Sequence, residues 1–310
     1  MPVVSTHSDV PPAPLFPHFK PLELQDRDFI QGYLTAYQPQ TSEWTFTNLF
    51  MWRHHYGFYW SVYLDWLLVV SLIPGAAPYG LAPMGPPSRL QATHTLLQWL
   101  REAHGPSSRI ERADERLVKE LQNSNGLAFE ATREQFDYVY RSEDLIELTG
   151  RKYHAKRNHL NKFMRSYRFV YEPLTPSHLG SCLQLTENWC QWRRCDEDLN
   201  LAGEWDATRE ALQRFEDLAI QGGVIVINHR VEAFALGELL NEQTAVVHIE
   251  KANPEIPGMY ALINQQFCQH CWVQVPYVNR EQDLGEPGLR KAKLSYYPDR
   301  LVEKYRIRSV

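Results

Sequence analysis

Val224-Ile-Val-Ile-Asn-His-Arg-Val-Glu-Ala-Phe-Ala-Leu-Gly-Glu-Leu-Leu-Asn-Glu-Gln-Thr-Ala-Val-Val-His-Ile-Glu-Lys251 is the stretch on which the fold turns. Val224 to Asn228 reads as a strand, His229-Arg230 as a turn, Val231 to Leu240 as a second strand, Asn241-Glu242 as a turn, and Thr244 to Lys251 as a third strand. Upstream, Ser177 to Trp192 reads as a helix with Thr175 or Ser177 as its N-cap. Asp206 to Ile220 reads as another, ended by Gly222-Gly223. Downstream, Gly258 to Trp272 reads as a helix and Pro276 to Asn279 as a last core strand. Two helices, a three-stranded meander, a helix and a strand predict an α/β (α+β) domain around one mixed central sheet.

The chain of 310 residues has room for two domains, and 44% hydrophobic with 22% charged residues is an ordinary globular balance. A net charge of −5 gives no global field for nucleic acid or a membrane, so any polyanion site must be local. Residues 1–20 are proline-rich, without the layout of a targeting signal, and are expected to be a loose tail. The most apolar run, Trp66 to Ile73, is shorter than the roughly 20 residues of a membrane helix. No integral membrane segment and a cytoplasmic location are expected.

In the first half, Leu24 to Tyr37 and Leu90 to Ala103 have helical spacing. Trp44 to Gly57 is an aromatic core segment, Tyr59 to Ile73 a strand or hairpin, and Pro74 to Pro87 a loop. Arg112 to Gln122 reads as a short helix and Phe136 to Tyr140 as a strand. The acidic Ser142 to Leu148 followed by a basic run marks a boundary, giving domains 21–145 and 146–310. Of the five cysteines, Cys268-Gln-His-Cys271 has a zinc-knuckle gap but no second pair, so reduced thiols are expected and no metal.

Between Arg151 and Arg168 there are seven Lys/Arg residues and no acid. Tyr153, Leu160, Met164 and Tyr167 would form an apolar stripe, leaving Arg151, Lys152, Lys156, Arg157 and Lys162 as a polyanion-binding face. The alternative is a solvated helix paired with the acidic run. On the strand from Thr244, alternation puts Val246, His248 and Glu250 on one face. There is no triad order, P-loop or dinucleotide fingerprint.

Three stretches are more specific: Phe46 to Trp52, Leu148 to Phe163, and Tyr277-Val-Asn-Arg-Glu-Gln-Asp-Leu-Gly-Glu-Pro-Gly-Leu-Arg-Lys-Ala-Lys-Leu-Ser-Tyr-Tyr-Pro298. With them the chain resembles an uncharacterised bacterial family grouped with the C-terminal domain of phosphatidylglycerol lysyltransferase. The element order of the second half is also that of the GCN5-related N-acetyltransferase (GNAT) fold. The resemblance implies two tandem acyl-CoA N-acyltransferase-like (GNAT-like) domains, similar to the Fem peptide ligases. It implies transfer of an (amino)acyl group from a carrier such as charged tRNA to an amine or hydroxyl acceptor.

On that basis the Thr244–Lys251 strand splays from its neighbour, and Glu250 acts as general base, with His248 as the alternative base or a substrate contact. Glu281 and Asp283 bind an ammonium, Asn279 lines the site, and Arg290 and Lys293 hold a phosphate or polarise the transferred carbonyl. In acetyl-CoA enzymes a glycine-rich loop before the next helix holds the pyrophosphate. Here only Gly258 matches, which weakens acyl-CoA as donor relative to aminoacyl-tRNA. The competing expectations are an acetyl-CoA-dependent N-acetyltransferase and a non-catalytic polyanion-binding module. Structurally, Asp283 would then cap a turn and Arg290 pair with Glu281.

Overall fold

A computed structural model describes residues 13–310, and the first twelve residues of the expected tail lie outside the described residues. Residues 13–20 are docked: Leu15 bridges to Val62, and Phe16 and Phe19 pack on Trp99.

The described residues build two mixed sheets of seven strands each. The first contains Lys20–Pro21 (β1), Phe58–Tyr63 (β2), Trp66–Ser71 (β3), Tyr79–Leu81 (β4), Arg109–Asp114 (β5), Leu127–Ala131 (β6) and Lys304–Ser309 (β14), in the order β1-β2-β3-β4-β5-β14-β6. The second contains Asp137–Arg141 (β7), Val170–Pro173 (β8), Gln221–Ile227 (β9), Arg230–Asn241 (β10), Thr244–Ala252 (β11), Tyr277–Asn279 (β12) and Arg300–Val302 (β13), in the order β13-β7-β12-β11-β10-β9-β8. Each sheet has one parallel pair, β4 with β5 and β11 with β12.

The sheets do not divide at one point in the chain. β7 precedes the acidic-to-basic boundary yet pairs with β12 and β13, and β14 returns to the first sheet between β5 and β6. One buried cluster spans both halves, joining Trp44, Phe46, Leu49 and Phe50 to Ala211, Leu212, Phe234 and Ile249. Burying side chains of this size contributes about 1.5–3 kcal/mol each, so the halves are held together as firmly as a domain interior.

Several local expectations shift. The segment 74–87 is not all loop, because β4 lies within it, and β5 occupies residues expected to begin a helix. That helix is Glu115–Leu121, started by Asp114, whose carboxylate accepts from the Leu117 amide. Gly222-Gly223 ends no helix. Both lie in β9, where a Cβ would stand 2.7 Å from Leu174 Cβ and 2.2 Å from the Tyr171 hydroxyl. The β9–β10 turn is Asn228-His229, both at positive φ (49° and 64°), a backbone suited to a two-residue hairpin. Cys190 and Cys195 are paired. No helix among the described residues is long and apolar enough to cross a membrane.

Candidate functional site

β11 and β12 pair only at Thr244–Tyr277, Ala245–Val278 and Val246–Asn279, although β11 runs on to Ala252. Beyond Val246 the two strands part. At that point β11 carries a bulge: Leu236 of β10 pairs with Ile249 and Gly237 with Val247, leaving His248 as the extra residue. Gly237 makes the bulge possible, since a Cβ there would stand 2.4 Å from the Val246 carbonyl oxygen.

The bulge corrects the expected faces. Ala245 and Val247 belong to the core beneath helix Met259–Cys271, whereas Ile249 belongs to the core shared by the two halves. His248 and Glu250 therefore address different partners. His248 reaches Glu281 (Nδ1 to Oε1, 2.8 Å), Glu238 (Nε2 to Oε1, 3.0 Å) and, from the first half, the Thr45 hydroxyl (3.3 Å). Asn48 also comes from the first half and donates to Glu281 Oε1 at 3.1 Å. Thr45 caps helix Phe46–Met51 by accepting from the Asn48 amide, so one short buried helix presents both contacts.

Both ring nitrogens of His248 face carboxylates. Burial alone would lower its pKa. The hydrogen bonds with Glu238 and Glu281 and their charges outweigh that and raise it to about 9. At neutral pH the ring is an imidazolium clamped between two acids, with both nitrogens acting as donors and neither available as a base. The Glu238 and Glu281 side chains remain 18 and 17% exposed, and their Oε2 atoms have no hydrogen-bond partner among the described residues.

Glu250 faces the other way. Its Oε1 accepts from Asn264 at 2.7 Å and its Oε2 from Arg280 at 2.5 Å. Arg280 and Glu281, neighbours in sequence, thus send their side chains to opposite sides of the opening, with Glu281 at φ 57°. Asn279 is buried. It donates to Asp137 at 3.0 Å and accepts from the Glu281 amide at 2.7 Å, which fixes the turn.

Asp283 is fully buried, away from the opening. It takes two hydrogen bonds from Arg290 (2.8 and 2.9 Å), one from Tyr138 (2.5 Å) and one from Arg133 (3.2 Å). Burial would raise this carboxyl, but the bonds from Arg290, Tyr138 and the Gly285 amide hold it down to about 2. Arg290 therefore pairs with Asp283 and not with Glu281. Lys293 donates to the carbonyls of Arg280 and Glu281, and burial followed by the Arg280 charge lowers it to about 8.

Gly258 has φ 94° and starts helix Met259–Cys271, packed against helix His154–Ser166. Three amides of its loop are already satisfied within the loop: Glu255 by Asn253 Oδ1, Ile256 by the Asn253 carbonyl, and Met259 by the Ile256 carbonyl. In the basic helix, Leu160 and Phe163 are the buried positions. Met164, expected in the stripe, is 50% exposed, because the helix turns its Leu160–Phe163 edge to the core and Phe163 takes the place expected of Met164. Arg151 and Lys162 are exposed, Lys152 lies 3.4 Å from Asp144, Arg157 donates to the Leu148 and Gly150 carbonyls, and Lys156 lies over the Tyr296 ring.

Sequence reasoning missed Glu238, Thr45, Asn48 and Arg280. Gly237 before Glu238, in the middle of a long apolar strand, is the signal that marks a bulge opposite.

The model of the phosphatidylglycerol lysyltransferase C-terminal family matches residues 34–308. A conserved protein of unknown function from Bacteroides thetaiotaomicron is similar in structure, with 33% identity and a TM-score of 0.88, over 94% of this chain and 99% of that one. L-PGS from Bacillus licheniformis is similar at 13% identity and a TM-score of 0.65, over 92% of each chain. FemX is similar at 10% identity and a TM-score of 0.52, over 94% of this chain and 97% of that one. The last two show the shared fold, two tandem GNAT-like domains.

Proposed function

The chain belongs to the phosphatidylglycerol lysyltransferase C-terminal family, and on that premise we propose that it moves an aminoacyl group from a carrier such as charged tRNA to an amine or hydroxyl acceptor. The observation that carries this reading is the Glu238–His248–Glu281 cluster at the parting of β11 and β12, met from the first half by Thr45 and Asn48. A parted strand pair supplies unpaired backbone groups for an extended acyl chain, and two largely buried carboxylates that keep some exposure suit an ammonium and a proton acceptor.

Glu281 takes the proton from the acceptor as its nitrogen or oxygen attacks the ester carbonyl. The new C–N or C–O bond forms, the ester C–O bond breaks, and the proton passes to the departing ribose hydroxyl. Glu238 holds the aminoacyl ammonium. His248, a fixed cation, balances the charge of the two carboxylates. Glu250 orients Arg280, and Asp283 with Arg290 and Asn279 hold the Glu281 turn in place.

The test is transfer of a labelled amino acid from charged tRNA to a panel of amines and to vesicles containing phosphatidylglycerol, with labelled acetyl-CoA alongside. Transfer from tRNA that is lost in Glu281→Gln supports the reading. Transfer from acetyl-CoA alone, or full activity in Glu281→Gln, overturns it.

A further inference from the structure

Across β11 from His248, positive charge gathers with little to balance it. Arg280 lies 4.9 Å from the centre of the Tyr296 ring, and Lys156, reaching in from the basic helix, lies 3.8 Å from the same ring. Lys293 is tied to the Arg280 carbonyl. Glu250 is the acid in contact with this group, bound to Arg280.

Two polar atoms here are buried without a partner among the described residues: Nη1 of Arg280 and Oδ1 of Asn264. Both residues grip the same carboxylate, at 2.5 and 2.7 Å, so both vacant atoms belong to side chains held on Glu250. A buried guanidinium N–H left unmatched is costly, and a site that keeps one beside two further cations is built for an anion. The vacant acceptor on Asn264, held on the same Glu250, asks for an O–H or N–H on the ligand.

We propose that Arg280, Lys156 and Lys293, with Asn264 and Tyr296, form a binding site for a ribonucleotide phosphate. The phosphate oxygens accept from Arg280 and Lys156, and a ribose hydroxyl donates to Asn264 Oδ1. Burial and the Arg280 charge lower both Lys156 and Lys293 to about 8, a strain that a bound phosphate dianion relieves. The site lies on the opposite side of the strand opening from Glu281, so phosphate and proton acceptor stand on the two sides of the reacting ester. The ligand's role rests on the transfer reading above, but its binding does not.

The experiment is calorimetric titration of the full chain with AMP and, as control, adenosine. Two further arms use the trinucleotide C-C-A and coenzyme A, which separate an oligonucleotide end from a pantetheine carrier as the source of the phosphate. AMP is expected to bind and adenosine to bind at least about tenfold more weakly. Lys156→Met, on a half-exposed helix position, is expected to weaken AMP about tenfold without unfolding. Glu250→Gln with Arg280→Met, which leaves no buried charge unpaired, is expected to abolish the difference between AMP and adenosine. Preference for C-C-A or for coenzyme A supports the site and names the source. No AMP binding at millimolar concentration, or equal binding in wild type and both variants, means that ordered water satisfies Arg280 and Asn264, and it overturns the proposal. Binding without any transfer keeps this site and removes the transfer reading; transfer without binding does the reverse.

Discussion

Nδ1 of His248 stands 2.8 Å from Oε1 of Glu281, and this contact ties a strand bulge to the turn after the last core strand. The second ring nitrogen is bound to Glu238, so the protonated ring carries the arrangement. An NMR titration should find the His248 imidazole near about 9. In Glu281→Gln the value should fall markedly toward the 6.5 of an ordinary histidine. The folded value exceeds the unfolded one. Its stabilising contribution is therefore complete below pH 6.5 and is lost as pH rises through about 9. A denaturation midpoint that stays flat between those limits contradicts the clamp.

Glu281→Gln keeps the shape and removes the proton acceptor. Turnover should fall about 10²- to 10⁴-fold with little change in KM. Glu250→Gln should act differently, weakening substrate binding through Arg280 more than it slows chemistry. Single-turnover kinetics separate the two, and equal loss of kcat in both variants would reverse the roles of the two acids.

Lys304 is fully buried and holds Glu43 at 2.7 Å and Asp137 at 2.6 Å. Asp137 in turn holds Asn279, which holds the Glu281 amide. Lys304→Met should cost about 3–5 kcal/mol, because two buried carboxylates lose the ammonium they share, leaving Asp137 without a cation among the described residues and Glu43 with Arg112 at 3.6 Å. Pairing it with Asp137→Asn should recover part of the loss. Urea denaturation measures both, and a cost below about 1 kcal/mol would mean that the pair is solvated.

Gly237→Ala places a Cβ against the Val246 carbonyl. The bulge must open or shift, at about 1–3 kcal/mol. Melting temperature should drop, and the His248 titration should move with it, since the bulge aims the ring. A stable variant with an unchanged His248 pKa would show that the bulge tolerates a side chain.

The long strands β10 and β11 were legible because their apolar and β-branched residues are consecutive and their turns polar. β4 and β13 were not: each is three residues long and takes its register from a distant partner. β14, Lys-Tyr-Arg-Ile-Arg-Ser, looks like a solvated end by composition. It becomes a central strand because Lys304 finds Asp137, 167 residues away, and Ile307 is buried between neighbours. The candidate site was half legible for the same reason. Residue types named His248, Glu250, Glu281 and Asp283, but their roles depend on direction. One bulge turns His248 away from Glu250, and one bidentate arginine takes Asp283 out of the opening.

The crossed strands have a consequence for how the protein is made. A ribosome releases β5 and β6 long before it releases residues 304–309, which must slot between them. Until then the nascent first sheet has two raw edges facing each other, and β7 waits for β12. These late, long-range pairings raise contact order and slow folding, and they leave the half-made chain open to misassociation and to chaperone capture. A fragment stopped at residue 145 should therefore aggregate rather than fold, although it spans almost a whole sheet.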